Sequence, residues 1–432
     1  MKKQFIFILC GLFLCAGTIA ATDYNVLQQG VVGDGKTLNT QSLQSAIDAL
    51  HAKGGGQLYF PAGRYLTGSL QLKSNVTLYL EKEAMLLGST SPYDYPGFST
   101  EKELKVNNDH FDQALIYAEG AENIGITGEG CIDGQGRELA LTIDSLHHTG
   151  ELVDKHYNTY RKRPNTRPKL LFMRNCRKVE LRKTNFRSGA AWGLSFSLCV
   201  DLTIDSLHVE NRAYWNNDGI DISDCKDVRI SNCFINSADD GICLKSHNRG
   251  AWNDRVSISN CHIISSASAI KFGTESLGGF KNVTIDNIRI KDTFRSAIAI
   301  ESVDGAEIEN VKLENIEIVC PGHATRGMAY MSVSRLKDVP ENEKGYPEFT
   351  MFEELPSWGF YVRHVKGIQM HNVKLRLQED DFRPAFVFDR VSDVRLSDIS
   401  LPENKKAGQV VLRQTSLQSA DNAVKEYVRE VE

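Results

Sequence analysis

Three stretches, Asp227-Val228-Arg229-Ile230, Arg255-Val256-Ser257-Ile258 and Asn282-Val283-Thr284-Ile285, decide the fold of this chain. In each, apolar and polar residues alternate, the period-two pattern of a half-buried strand, and clusters of Asn, Asp, Ser and Gly punctuate the intervals. The pattern continues outward to Asp201-Leu202-Thr203-Ile204, Lys178-Val179-Glu180-Leu181 and Glu307-Ile308-Glu309-Asn310. Successive apolar anchors are 23, 26, 28, 27 and 25 residues apart. A period in that range marks stacked supersecondary units. The regular leucine framework of leucine-rich repeats is missing, so the units read as coils of parallel β-strands.

Weaker coils are visible at Asn75-Val76-Thr77-Leu78, Asn123-Ile124-Gly125-Ile126, Gly367-Ile368-Gln369-Met370 and Asp393-Val394-Arg395-Leu396. The ladder therefore spans residues 22–432 and predicts one all-β solenoid domain, because a solenoid lengthens without needing a second core. A solenoid must hide its open first edge. Leu43, Ala46, Ile47 and Leu50 follow the i, i+3, i+4, i+7 spacing of a helix ended by Gly54-Gly55-Gly56, which predicts an N-terminal capping helix. The period breaks once, at about 320–358, a span rich in Pro and Gly and too long for a turn. It reads as an irregular insertion, either a surface excursion or a wall at one end of a groove.

Lys2 and Lys3, the apolar run Phe5 to Ala16 and the small residues Ala20 and Ala21 read as a secretory signal peptide over residues 1–21. Leu14 before Cys15 argues against a lipid anchor. No second apolar run is long enough for a membrane span. The expected location is secreted or periplasmic. The net charge of −5 becomes more negative once the two lysines are removed, which argues against a nucleic-acid partner. Oligomeric state is not legible. The other eight cysteines form no Cys-x-x-Cys pair. Ser231-Asn232-Cys233 and Ser259-Asn260-Cys261 lie one repeat apart, so stacked apolar thiols are expected rather than disulfides.

Chemistry concentrates in two phrases, Asn216-Asn217-Asp218-Gly219 and Ala238-Asp239-Asp240-Gly241, whose acids Asp218 and Asp239 are 21 residues apart. One coil of offset brings Asp218 alongside the Asp239–Asp240 pair. Three clustered carboxylates cannot all ionise cheaply, so one is held protonated. A protonated acid and an ionised partner across a water can split a glycosidic bond.

At these residues the chain resembles glycoside hydrolase family 28, the polygalacturonase and rhamnogalacturonan hydrolase family, whose fold is a right-handed parallel β-helix. The resemblance runs from Gly33-Asp34-Gly35 and Ala46-Ile47 through Thr127-Gly128-Glu129-Gly130-Cys131-Ile132-Asp133-Gly134-Gln135-Gly136 and Arg167-Pro168 to the acidic phrases. It implies Asp239 as general acid, Asp218 and Asp240 as water-activating bases, and a pectic polysaccharide or oligosaccharide as substrate. Two positions depart from the family. Ser268 stands where it has a histidine, and Glu301 stands where it has a cation for the substrate carboxylate.

A uronate beside Glu301 would be repelled unless Lys271 or Lys245 neutralised it. Asn216, Lys245, His247, Ser268, Lys271 and Glu301 are thus the expected substrate contacts. Arg363-His364 offers another cation, and Trp192, Trp215 and Trp252 offer indole faces for a sugar. No metal site or cofactor is expected. Two other classes stay open: a Ca²⁺-dependent β-helix lyase or epimerase drawing on Asp218, Asp221, Asp224, Asp239 and Asp240, and a non-catalytic glycan-binding solenoid.

Overall fold

The computed structural model describes residues 22–95, 114–154, 157–322, 333–342, 355–402 and 408–432. The expected signal peptide lies outside them. Alternating residues build a parallel solenoid of three strand ladders. One ladder carries the anchors: Ile124, Val179, Leu202, Val228, Val256, Val283, Val311, Ile368 and Val394 are register partners in turn. All nine are buried in one continuous core, each contributing on the order of 1.5–3 kcal/mol. One anchor differs from the sequence reading. Val283 pairs with Val311, not Ile308, which pairs with Phe280.

The coil corners explain this choice. Asp227, Arg255, Asn282 and Asn310, each just before its anchor, have φ of 57°, 56°, 55° and 55°. This left-handed region favours Asn and Asp. Asn310 Nδ2 donates to Asn282 Oδ1, and Asn282 Nδ2 to Asp254 Oδ1, both at 2.8 Å, so the corners form a hydrogen-bonded ladder.

A second ladder, beginning with Asp34–Leu38, runs beside the first and merges into it at the long strand Asn253–Ser265. The third forms a separate sheet of twelve strands, among them Leu194–Ser197, Ile220–Ser223, Ile242–Ser246, Ile270–Ser276 and Ile298–Ile300. The helix Thr40–Ala52 buries Leu43, Ala46, Ile47 and Leu50 in the core, against the first coil's strands. A second helix, Gly136–Thr149, was not anticipated.

The eight cysteines among the described residues are free. The Cys233 and Cys261 thiols donate to the Ser231 and Ser259 carbonyls at 3.1 and 3.2 Å, stacked within the core. In the irregular span, the 3₁₀ helix Val333–Asp338 brings Leu336, with Val339 and Leu355, onto outward-facing Ala299, Tyr361, Val387 and Val411 of the third sheet. No helix among the described residues is long and apolar enough to cross a membrane.

The entry to the third sheet is set by a stack of small residues. Gly193 and Gly219 N–H donate to the Asp218 and Asp240 carbonyls at 2.9 Å, and Gly241 N–H to the Ser268 carbonyl at 2.9 Å. A Cβ on Gly219 would sit 2.4 Å from Gly241 O, and one on Gly241 would sit 2.5 Å from Ala269 O. The Asp-Gly order of both acidic phrases is therefore a packing requirement. Gly241→Ala is expected to destabilise the fold by about 2–3 kcal/mol through backbone displacement. Chemical denaturation would show this as a lower midpoint, and an unchanged midpoint would mean that the coils separate freely.

Candidate active site

Along the third sheet, Ile220 and Ile222 point into the core and pair with Ile242 and Leu244, which pair with Ile270 and Phe272. The alternate residues face outward: Ser195, Asp221, Cys243, Lys271 and Ala299 follow one another in register. The acids sit where these strands begin. Asp218 is level with Asp240, 22 residues on, as Ile220 is with Ile242, while Asp239 N–H donates to the Asn217 carbonyl at 3.2 Å. The 21-residue offset thus needs adjustment by one: Asp240 is the coil neighbour of Asp218, and Asp239 stands at the bend. The Asp239 side chain is 26 % exposed, against 4–5 % for Asp218 and Asp240.

Two buried ammonium groups balance these carboxylates. Lys245 Nζ lies 3.1 Å from Asp218 Oδ2 and 2.8 Å from Asp221 Oδ1, and Lys271 Nζ lies 3.1 Å from Asp240 Oδ2. Lys245 Nζ also lies 4.4 Å from the centre of the Trp192 ring, a cation–π contact. Arg295 Nη1 approaches Asp239 Oδ1 at 3.7 Å. An oxygen of Asp218, an oxygen of Asp240 and Cys243 Sγ lie within 4.8 Å of one another. A metal ion there would compete with both ammonium groups.

This arrangement separates the acids electrostatically. Burial, then the neighbouring Asp240, raises the Asp239 carboxyl, with Arg295, Lys271 and Lys245 opposing. Asp240 is lowered on balance: burial works against its charge, and Lys271, Arg295 and Lys245 outweigh it. Burial and Asp221 hold Asp218 well above the usual carboxylate range despite Lys245. Adjacent residues thus prefer opposite protonation states, the pattern that assigns acid and base roles.

The remaining expected contacts divide. Asn216 is half-buried with φ of 60°, and its neighbour Asn217 ties the turn to the Gly189 and Ala191 carbonyls at 2.9 and 2.6 Å. Lys245 and Lys271 join the acids as their counter-ions. His247 does not join them: its ring is buried between Ser223 Oγ at 3.2 Å and Glu275 Oε2 at 2.6 Å. Arg363 is fully buried between Asp389, at 2.6 Å, and Glu341. Trp192 is buried, whereas Trp215, three residues before Asp218, is 55 % exposed.

Asp221, expected only as a Ca²⁺ ligand of the lyase alternative, instead faces outward in register and pairs with Lys245. Two residues were missed. Arg295 occupies the coil position of Asp239 two coils later, with small Ala267 between them. Arg163 lies on an irregular connection and is acted on by the charges of Asp239 and Asp218. A cavity of about 750 Å³ lies among Glu309, Glu341, His364 and Arg390, and Asp218, Asp239 and Asp240 do not line it. The balanced carboxylates, not that volume, mark the chemistry.

A profile described as "Glycosyl hydrolases family 28" matches residues 56–321, and a second, "Rhamnogalacturonase A/epimerase, pectate lyase-like", matches residues 24–87. The chain belongs to glycosyl hydrolase family 28. It is 30 % identical over 299 residues to a probable polygalacturonase of Vitis vinifera, covering 65 % of this chain and 55 % of that protein. It is 27 % identical over 248 residues to an exo-poly-alpha-D-galacturonosidase of Dickeya chrysanthemi, covering 50 % and 41 %. The chain thus spans about half the length of these relatives. The Yersinia enterocolitica family 28 exopolygalacturonase shares the fold, with a TM-score of 0.64 at 20 % identity over 95 % of this chain and 77 % of that one.

The two departures from the family now have surroundings. Ser268 is buried; its N–H donates to Asp240 Oδ1 at 3.2 Å, and its Oγ has no partner. Glu301 is also buried, and its Oε2 has no hydrogen-bond partner. Burial pushes its pKa up to about 7, with Asp240 adding to the shift and Lys271, Arg295 and Arg363 opposing it. The expected fixed anion is therefore a neutral acid below that pH.

For a carboxyl raised in the folded state, the stabilising contribution is present below its unfolded pKa and is lost as pH rises through the folded value. Glu301 is expected to cost stability progressively from about pH 4.5 to 7, by up to about 3 kcal/mol. Glu301→Gln should flatten that loss in denaturation curves at pH 4.5 and 8. Parallel curves for the two proteins would place Glu301 in a more polar environment.

Proposed function

We propose that this chain is an inverting glycoside hydrolase acting on a pectic or related polysaccharide outside the cytoplasm. Asp239 protonates the leaving glycosidic oxygen. Asp240 is the ionised base, and Asp218 helps orient the water. The observation that carries this reading is the stacking of Asp218 on Asp240 by the glycine ladder, with Asp239 at the solvent-facing bend, in a chain belonging to family 28.

The acid that must meet the substrate is the most exposed of the three. An oxygen separation within 4.8 Å lets one water bridge Asp218 and Asp240. Lys271 keeps Asp240 charged, and burial keeps a proton on Asp239. General acid–base catalysis of this kind contributes typically 10²–10⁴-fold. Trp215 offers an exposed indole face for a neighbouring sugar.

Asp239→Asn is expected to reduce kcat on pectic oligosaccharides by about 10³-fold or more, with little change in the thermal transition, because the substitution keeps the side chain's size and removes no close ion pair. Substantial remaining turnover would remove Asp239 from the acid role. Proton NMR of fresh product should show inverted anomeric configuration, and retention would exclude the water-attack mechanism. EDTA should leave the rate unaltered. Loss of activity restored by Ca²⁺, with a product absorbing in the ultraviolet, would transfer the chain to the lyase class.

A further inference from the structure

Arg163 is 6 % exposed, and its Nε and Nη1 have no hydrogen-bond partner. An interior guanidinium normally has its donors satisfied, since leaving them unmet costs free energy. Its backbone is firmly placed. Arg163 and Asn158 exchange backbone hydrogen bonds of 2.9 and 3.2 Å. Two residues on, Asp154 Oδ2 accepts the Asn165 and Thr166 N–H groups at 2.6 and 3.0 Å. Arg167 then anchors the connection to the acidic coil by donating to the Trp215 carbonyl at 2.7 Å.

The charged and titratable groups that act on Arg163 are Arg161, Asp239, Tyr214 and Asp218. Arg167, four residues on, fixes this connection against the acidic coil at Trp215, three residues before Asp218, and the charges of Asp239 and Asp218 act on Arg163 from that side. Burial lowers its pKa, yet an arginine stays charged at any working pH. The family's cation position holds Glu301, and Lys245 and Lys271 are engaged with protein carboxylates.

We propose that Arg163 receives the carboxylate of a uronate residue in the bound sugar chain, replacing the missing cation as the determinant of acidic-substrate specificity. This rests on the pectic-polysaccharide reading of the site. A guanidinium with two unfilled donors, Nε and Nη1, suits an anion, because each can donate a charge-assisted hydrogen bond to a carboxylate oxygen. Arg163 acts on binding and takes no part in proton transfer.

The test is calorimetric titration of trigalacturonate and of its carboxyl-reduced, neutral counterpart into Asp239→Asn protein, with and without Arg163→Gln. The expected result is a tenfold or greater loss of affinity for the acidic trisaccharide, no more than a twofold change for the neutral one, and partial recovery with Arg163→Lys. Because its donors are unmet in the free protein, Arg163→Gln should leave the denaturation midpoint unchanged or raised; a fall would mark a structural role. Equal loss on both sugars, unchanged affinity for the acid, or no binding of the acidic trisaccharide overturns the proposal. Hydrolysis is assayed separately by reducing ends, so selective binding without turnover would count against the hydrolase reading and leave Arg163 as an anion site.

Discussion

Backbone contact between coils at Gly193, Gly219 and Gly241 is the constraint on which the site depends. Each of these N–H groups donates to the next coil, and Gly219 and Gly241 approach it too closely for a Cβ. The residue before each of these two glycines therefore repeats at the same height on adjacent coils. Asp218 and Asp240 occupy those two heights. The strand period then turns Asp221, Cys243 and Lys271 outward in line, so the floor of the site follows from two glycines and an alternation.

Electrostatics selects among the stacked acids. A lysine one coil beyond each carboxylate reaches back to it: Lys245 to Asp218 and Asp221, Lys271 to Asp240. Buried pairs of this kind stabilise weakly on balance, but removing one partner typically costs 3–5 kcal/mol because a charge is left uncompensated. The two lysines are thus fixed by the fold as much as by chemistry. Asp239, at the bend, meets its cation Arg295 at the longer distance of 3.7 Å and keeps the contrast with Asp240.

Most of the coil ladder was legible because Val and Ile recur with a corner residue just before them. The misplaced anchor shows the limit of periodicity: Ile308 and Val311 are both apolar, and only the Asn before Val311, matching the Asn before Val283, distinguishes them. The acids were legible as Asp-Gly phrases, but their one-residue adjustment required the carbonyl pairing. Arg295 was recoverable by carrying the coil position of Asp239 forward across Ala267. His247 was misleading because a histidine near acids looks available, whereas Glu275 and Ser223 occupy its ring. Arg163 had no signal: it lies on a connection without period, and its position depends on contacts from Asp154 and Arg167 that no local pattern encodes.

That difference in legibility follows the division of labour in the fold. Outward positions on the coils are few, fixed by register, and in the acidic region already filled by carboxylates and their lysines. A substrate group with its own charge needs a partner from outside that stack. Trp215 and Arg163 occupy connecting segments, and the helix Val333–Asp338 packs over the sheet face further along. Connections tolerate substitution better than stacked strands do. The solenoid therefore lets recognition of the sugar change while the acid–lysine floor stays in place. The replacement of a coil cation by Glu301 is compatible with retained chemistry, because the partner for a uronate can come from a connection instead.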